Sequence, residues 1–592
     1  MRGPTLLLFL FVTAGLPMPA QAEQQIDVEI LVPDETLRGN IAAFLSIYQY
    51  RDRDDLSAPA VRRLHEKAPQ EIRRALQPYG YYSPDITSRL QHTAGGWHAS
   101  YQVAPGPAVI INHYSLSIAP GIPPDAVTEQ GRSNAIRELR SLLLPMPFRQ
   151  GQRLEHARYS SYKDRVLKTA LSLGFLDARF ETARLEVDTD RLQADIRLRL
   201  ALGPRYRFGE VTIEQDILND DFMQRFVEFE QGEPFDYDKL LNLQYSLIDS
   251  NYFSNVSVEP HREQAVEHIV PITIRATANE RTRYRVGFGY GTDTGGRVTF
   301  GMQRRYVNRR GHWLDAEAQF AEVRNTATVA YNIPLGRPGS EYFRIAAKSQ
   351  FEELADTESR INELSLSRVR SLGRWQQTLY TVLRKEDSFL PEGEFESKTV
   401  VPGASWLTNR MNNPLYPTEG YKLYGDIHGS HPALGSDETY LQVRVQGRRA
   451  WPVSERLRFF SRLDIGYTAI DEEEELPVSE RFFAGGDQSV RGFDYNRLAP
   501  VDAEGNIVGG KYLLVGSVQL DYRITQNWGV STFYDAGNAM ESLDEELEAA
   551  YGIGAIWFSP VGPVRLSVAR PVNEDRVPKS GYEIHFNFGP DL

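Results

Sequence analysis

Two rhythms of apolar and polar positions divide this chain near residue 280. Before that point, alternating segments are interleaved with stretches whose apolar residues recur at helical spacing. After it, helical periodicity nearly disappears and a period of two takes over. Tyr284 to Asp293 shows the second rhythm: Val286, Phe288 and Tyr290 fall on one face, Gly287, Gly289 and Gly291 on the other. Side chains alternate across a strand, so the first set can meet lipid and the second a lumen. Similar segments run through Trp313 to Val323, Thr326 to Ile333, Phe343 to Phe351, Glu363 to Val369 and Thr378 to Leu383. Further ones cover Tyr421 to His428, Tyr440 to Gly447, Leu457 to Tyr467 and Tyr512 to Arg523. The pattern predicts eleven strands before a long loop at 470–510 and five after it, an even total of sixteen. Residues 281–592 allow about twenty residues per strand and connection, enough for a tilted spanning strand of roughly 9–11 residues and a turn.

The N-terminal part carries a degenerate repeat. Leu76-Gln77-Pro78-Tyr79-Gly80-Tyr81-Tyr82, Leu171-Ser172-Leu173-Gly174-Phe175-Leu176 and Leu247-Ile248-Asp249-Ser250-Asn251-Tyr252-Phe253 each end an apolar helix in Gly or Asn, then an aromatic residue. Gly or Asn is where a left-handed C-cap costs least. An alternating strand follows each time, and a second strand pairs with it: Trp97 to Val103, Gln193 to Leu200 and His268 to Ala276. The cap positions lie 94 residues apart (80 to 174) and then 77 (174 to 251), so the repeats are domain-sized. Ala104-Pro105-Gly106-Pro107 and Ala201-Leu202-Gly203-Pro204 mark like boundaries. The expected units are 23–106, 107–203 and 204–279, each strand-helix-helix-strand-strand, followed by the 280–592 strand region. Periodicity alone leaves open three unrelated α+β segments whose helices happen to end alike.

Composition narrows the compartment. Arg2, the apolar run Leu6 to Val12 and Ala20-Gln21-Ala22 read as a secretory signal peptide over 1–22. No uncharged run of 18 or more apolar residues follows; the longest candidate, Ala549 to Val564, is bounded by Glu548 and Arg565 and reads as strand-turn-strand. A membrane protein without spanning helices must close its sheet into a barrel. A net charge of -13 argues against a nucleic-acid partner. There is no cysteine, and the 11 histidines are scattered. Gly-x-Ser-x-Gly and His-Glu-x-x-His are absent, so neither an enzyme nor a metal or cofactor is expected. Scattered His and Asp in a barrel wall leave a lipase-like site open.

The loop at 470–510 is too long for a mere connection. It holds Arg481-Phe482-Phe483-Ala484-Gly485-Gly486 and then Val490-Arg491-Gly492-Phe493. Downstream, Phe533-Tyr534-Asp535-Ala536-Gly537-Asn538 puts Asp535 on one face with Phe533 and Gly537, and Tyr534 on the lipid-compatible face. The last strand, Tyr582-Glu583-Ile584-His585-Phe586-Asn587-Phe588, alternates too, and Gly589-Pro590-Asp591-Leu592 follows it. The acid run Asp471 to Glu475 reads as solvated extracellular chain.

These motifs resemble those of the BamA-type outer-membrane assembly superfamily, and the N-terminal repeat resembles its POTRA module. The resemblance covers essentially the whole chain after residue 22. Three POTRA-like units and the Gly-Pro-Asp-Leu tail resemble the TamA family most. The implied fold is α+β periplasmic POTRA domains followed by an all-β transmembrane barrel of sixteen antiparallel strands, in the cell outer membrane. The Val490–Phe493 tip is then expected inside the barrel, where an arginine can pair bidentately with a carboxylate. Arg491 with Asp535 is the expected pair; a solvated arginine and a water-facing Asp535 are the plainer readings. Gly287, Phe288 and Gly289 on the first strand face Tyr582, Ile584, Phe586 and Phe588 on the last across a seam. Glycine weakens a strand and Pro590 cannot donate to a ladder, so the seam is expected to open sideways, with ordinary closure equally open. The implied function is non-enzymatic insertion of outer-membrane proteins such as autotransporters. Its implied partners are a TamB-like protein anchored in the inner membrane, unfolded outer-membrane clients, and outer-membrane lipids with lipopolysaccharide. A two-partner-type secretion pore and a lipid-transport component are the alternatives.

Overall fold

The computed structural model describes residues 26–53, 55–93, 96–119, 137, 139, 141, 143, 146–354, 356–390, 393–471, 475–560, 562–573 and 581–588. The signal segment 1–22, most of the acid run and the 589–592 tail lie outside them. Two bodies result: residues up to 210 with 231–238 and 261–271, and residues 211–230, 239–260 and 272 onward.

The first unit holds β1 (Ile26–Leu31), α1 (Glu35–Phe44), α2 (Ser46–Gln49), α3 (Ala58–Leu76), β2 (Asp85–Thr93) and β3 (Gly96–Ala104), with sheet order β1-β3-β2. β3 is central because it alternates most cleanly: Trp97, Ala99, Tyr101 and Val103 are buried against Ile41, Ala68, Ile72 and Leu76. β1 runs parallel to it and β2 antiparallel. Asp34 caps α1 by accepting the Thr36 N–H at 2.8 Å, satisfying one orphan donor of the first turn.

The same order recurs twice. The second unit has β4 (Ile110–Ala119), α4 (His156–Ser172), β5 (Arg179–Asp188) and β6 (Gln193–Ala201), arranged β4-β6-β5. The third has β7 (Arg207–Glu214), α5 (Asp220–Gln224), α6 (Tyr237–Asp249), β8 (Phe253–Pro260) and β9 (Ile269–Ala278), arranged β7-β9-β8.

The repeated caps join neighbouring units. Gly80 and Gly174 sit at φ 85° and 89°, and Asn251 at 62°. The Gly80 carbonyl accepts the Val109 N–H and the Gly174 carbonyl the Tyr206 N–H, each at 2.8 Å. A Cβ on Gly80 would lie 2.6 Å from the Leu154 carbonyl oxygen, so glycine is needed for contact as well as for φ. A second repeat passes unnoticed in the sequence: Phe148-Arg149-Gln150-Gly151 and Phe229-Glu230-Gln231-Gly232, with the glycines at φ 81° and 85°.

Sixteen antiparallel strands close the barrel. Eleven precede the long loop: β10 (Thr282–Gly291), β11 (Gly295–Arg304), β12 (Trp313–Ala321), β13 (Arg324–Pro334), β14 (Glu341–Leu354), β15 (Thr357–Leu372), β16 (Trp375–Leu390), β17 (Gly393–Asn409), β18 (Gly420–Ser430), β19 (Tyr440–Pro452) and β20 (Leu457–Ile470). Five follow: β21 (Tyr512–Arg523), β22 (Trp528–Met540), β23 (Glu548–Ser559), β24 (Gly562–Pro571) and β25 (Glu583–Phe588). The outer face is apolar, with Tyr284, Phe288, Phe300, Leu364, Leu441, Tyr534 and Ile553 exposed. β15 to β17 reach 16 or 17 residues, well beyond the 9–11 expected. Their far ends turn charged on the outside, where Lys385, Asp387, Glu396 and Lys398 form an exposed ion-pair ladder. That ladder suits water, so the extra length projects past the hydrocarbon.

Candidate functional site: a lumenal loop and the seam it reaches

The loop between β20 and β21 is fastened at its root. Glu480 is buried and ion-paired with Arg384 of β16 and with His428 Nε2 of β18 at 2.8 Å. Its carbonyl accepts from Gln442 Nε2 of β19 at 2.7 Å, and the neighbouring Ser479 N–H donates to Glu386 of β16 at 3.0 Å. Arg384 also donates to Glu363 of β15 at 2.8 Å, and His428 Nδ1 meets Asp426 at 2.6 Å.

From that root the loop folds on itself. Phe482 and Gly510 exchange backbone hydrogen bonds at 2.8 and 2.9 Å, and Ala484 does so with Leu498 at 3.0 and 2.9 Å. Arg481 donates to the carbonyls of Leu476 (2.7 Å) and Val508 (3.1 Å), so it ties two limbs of the loop together. The Phe482 ring fills the space that a Cβ on Gly466 would need. Gly485 and Gly486 turn the chain at φ 99° and 95°.

At the tip, Arg491 lies against β21 and β22. Nε donates to Asp535 Oδ2 at 2.7 Å and Nη2 to Oδ1 at 2.9 Å, while the Arg491 N–H reaches Oδ2 at 3.1 Å. Nη1 donates to Gln519 at 2.8 Å and Nη2 to Ser517 at 3.3 Å. The guanidinium stacks 3.4 Å from the Phe533 ring centroid, and that ring lies over Gly552, which has no room for a Cβ. Burial decides the energetics. Asp535 is 0% exposed and Arg491 5%, so the pair belongs with buried ion pairs, whose disruption costs about 3–5 kcal/mol, and not with wetted ones worth about 0–1. Val490 and Phe493 pack with Leu513, Val515, Ala539 and Ala550. Gly537 lets β22 lie close to β21, since a Cβ there would sit 2.5 Å from the Leu514 carbonyl oxygen. Arg462 of β20 holds the carbonyls of Asp487 (3.3 Å) and Ser489 (2.9 Å).

The tip also reaches the last strand. Gly492, at φ 94°, donates its N–H to His585 Nε2 of β25 at 2.9 Å. β25 itself closes the barrel thinly. Among the described residues only Tyr290↔Phe588 and Gly291↔Asn587 are in register with β10, whereas β10 and β11 match from Thr282↔Arg304 to Gly291↔Gly295. Among the described residues, Thr282 to Gly289 have no partner on the β25 side. Phe288 and Ile584 face outward and exposed, the Tyr290 and Phe586 rings meet tilted with centroids 5.9 Å apart, and Gly287 and Gly289 face inward beside Thr299 and Arg297. Tyr582 lies one residue outside β25, half exposed, so the strand begins at Glu583 and is shorter than its alternation suggests.

Glu480, Arg384, His428 and His585 carry no motif; only their inward register on a strand or their place beside Arg481 marks them. The run Gly505-Asn506-Ile507-Val508-Gly509-Gly510-Lys511 has the spacing of a phosphate-cradling loop. Tyr512 stands where Ser or Thr is required, and a strand follows instead of a helix. Among the described residues no group of His, Cys, Asp and Glu is placed to hold a metal ion.

The family model described as Omp85 superfamily domain matches residues 271–591. The model for POTRA domain TamA domain 1 matches 27–105, and one described as surface antigen variable number repeat matches 206–278. Outer membrane protein assembly factor BamA of Nitratidesulfovibrio vulgaris is 22% identical over 379 residues, 60% of this chain and 47% of that protein. BamA of Neorickettsia risticii is 21% identical over 423 residues, covering 65% and 55%. The chain thus spans about half the length of the curated relatives it matches. The crystal structure of Haemophilus ducreyi BamA lacking POTRA domains 1–3 superposes with a TM-score of 0.66 at 16% identity, covering 81% of this chain and 99% of that one.

Proposed function

The chain belongs to the Omp85 superfamily, and from that premise we propose that it inserts client β-barrel proteins such as autotransporters through the β10–β25 seam. The barrel lies in the outer membrane and the POTRA units in the periplasm. The observation that carries the proposal is the edge of β10 from Thr282 to Gly289, which among the described residues has no partner on the β25 side and presents a row of main-chain donors and acceptors to another strand. A client strand pairs there by β-augmentation, and its own burial and hydrogen bonding supply the driving force. No covalent step is involved. The match of residues 27–105 to a TamA-type first POTRA domain supports a TamA-type role with a TamB-like inner-membrane-anchored partner. Among the described residues β1, β2 and β5 are sheet edges, and they offer docking sites for that partner or for clients.

A loop pinned at Glu480 on one wall and Arg491 on the other crosses the lumen, which disfavours a pore that passes clients through the middle. Site-specific photo-crosslinking in cells from Phe288 and, separately, from Arg491 tests the choice. Client barrel strands captured from Phe288 support insertion. Unfolded exoprotein captured chiefly from Arg491 overturns it in favour of a secretion pore, and lipid captured at Phe288 without client points to a lipid-transport component.

A further inference from the structure

We propose that the loop tip is a latch across the seam, with Asp293, His585 and Asn587 as the positioning residues that make seam opening and loop withdrawal one event. Within seven residues the loop touches both edges. The Asp487 N–H donates to the carboxylate of Asp293, two positions past the end of β10. The Asp487 carboxylate accepts from Asn587 Nδ2 of β25 at 2.6 Å. Gly492 donates to His585 Nε2 at 2.9 Å, which puts the ring proton of a neutral His585 on Nδ1, 3.5 Å from Asp293 Oδ1. Gly486 lies so near Asp293 that a Cβ there would sit 2.6 Å from Oδ2.

Among the described residues the direct closure is no richer than this bridge. Beyond its two register pairs, the seam gains the Thr292 N–H to the Phe586 carbonyl at 3.0 Å and the Phe586 N–H to Thr292 Oγ1 at 3.2 Å. β10 and β25 therefore cannot part while Asp487 holds Asp293 on one side and Asn587 on the other. His585 is 2% exposed, so parting also uncovers a buried polar ring. Since Arg491 seats the same short segment on Asp535, releasing the tip frees the latch, and freeing the latch loosens the tip. Such coupling is reciprocal.

The inference rests on the seam being the moving part, as proposed above. It is tested without any client, so failure of the insertion reading leaves it standing. The chain has no cysteine, so nitroxides at Phe288→Cys and Ile584→Cys report the seam alone. Distance distributions are measured on the full chain in vesicles of phosphatidylethanolamine and phosphatidylglycerol, with heat-modifiable gel mobility confirming a closed barrel. Asp293→Ala, Asn587→Ala and Arg491→Ala are each expected to raise the long-distance fraction about fivefold or more. Asp356→Ala removes contacts to Arg497 and the Ile507 N–H on the other limb of the loop and is expected to change nothing. A disulfide between Asp487→Cys and Asn587→Cys, formed before spin labelling, provides the opposite arm: it makes the β25 side of the bridge covalent and is expected to lower the long-distance fraction. Unchanged distributions in the Asp293 and Asn587 variants overturn the latch, as does equal opening in Asp356→Ala. If the alanine variants do not form barrels, a long-distance fraction no lower in the disulfide variant than in the same chain reduced overturns it instead.

Discussion

The two walls of this barrel are built from the same backbone chemistry and differ in how much of it they use. Fifteen register pairs join β15 to β16, from Glu358↔Phe389 to Leu372↔Trp375, while among the described residues two join β10 to β25. The long wall is also tied inward, through Glu386 and Arg384 of β16 to the root of the loop. The thin wall is tied inward through His585 and Asn587 to the loop tip. One wall therefore serves as a fixed post and the other as the part with freedom to move, and a single loop spans the two.

The comparison breaks most readily at the tip. Arg491→Ala leaves Asp535 buried and uncompensated, and is expected to cost about 3–5 kcal/mol of loop seating. Limited proteolysis of the loop should rise steeply and client assembly should fall, with the POTRA units still folded. Normal assembly by this variant at normal protein level would sink the loop-anchor idea. Glu480→Ala acts at the post. Arg384 keeps Glu363 and His428 keeps Asp426, so the loss is expected to be smaller, about 2–3 kcal/mol. Hydrogen exchange should increase at 476–484 and stay unchanged in β15–β16; loosening of β15–β16 would mean that the post is not fixed.

Gly287→Ala sharpens the contrast from the other side. The site is open, with Thr299 Cβ 3.7 Å from a built Cβ, so the substitution should stiffen β10 by about 0.5–1 kcal/mol. Slower hydrogen exchange along Tyr284–Gly289 is the readout, and faster exchange would contradict it. The smallest effect lies far from either wall. His156 is half-buried, shares a hydrogen bond of 2.7 Å with Tyr82 Oη, and burial lowers its pKa below the ordinary 6.5. The unfolded state then binds the proton more readily. This contribution to stability is complete above pH 6.5 and is lost as pH falls through that value toward the folded pKa. Exchange near α4, corrected for intrinsic rates, should quicken between pH 7.5 and 5.5 in the native chain and not in His156→Gln.

Much of this architecture is written locally. The alternation of Tyr284 to Gly291 places its own side chains, and the inward register of Asp535 follows from Tyr534 facing out. Glycine before an aromatic residue announces each cap because the required φ is a property of one residue. The root and the latch were illegible for the opposite reason. Arg384 lies 96 positions from Glu480, and Asp293 lies 194 from Asp487. Each sits among many inward polar residues of similar kind. Which of them meet depends on the stagger of sixteen strands, which no single strand encodes. The length of β15 to β17 was hidden because their outer faces exchange apolar residues for charge while the ladder continues.

The thin seam also has a history in time. Tyr290 and Phe588 are 298 positions apart (588 minus 290), so their pairing closes the longest stretch of chain in the barrel. Loop closure of that length carries the largest entropic penalty, and pairings of high contact order form late. Every other pair of neighbouring strands can zip from a nearby turn or follow the loop. The β10–β25 joint is expected to form last as the barrel folds and, having the fewest pairs among the described residues, to come apart first. A barrel that works by opening there revisits the final step of its own folding each time it acts.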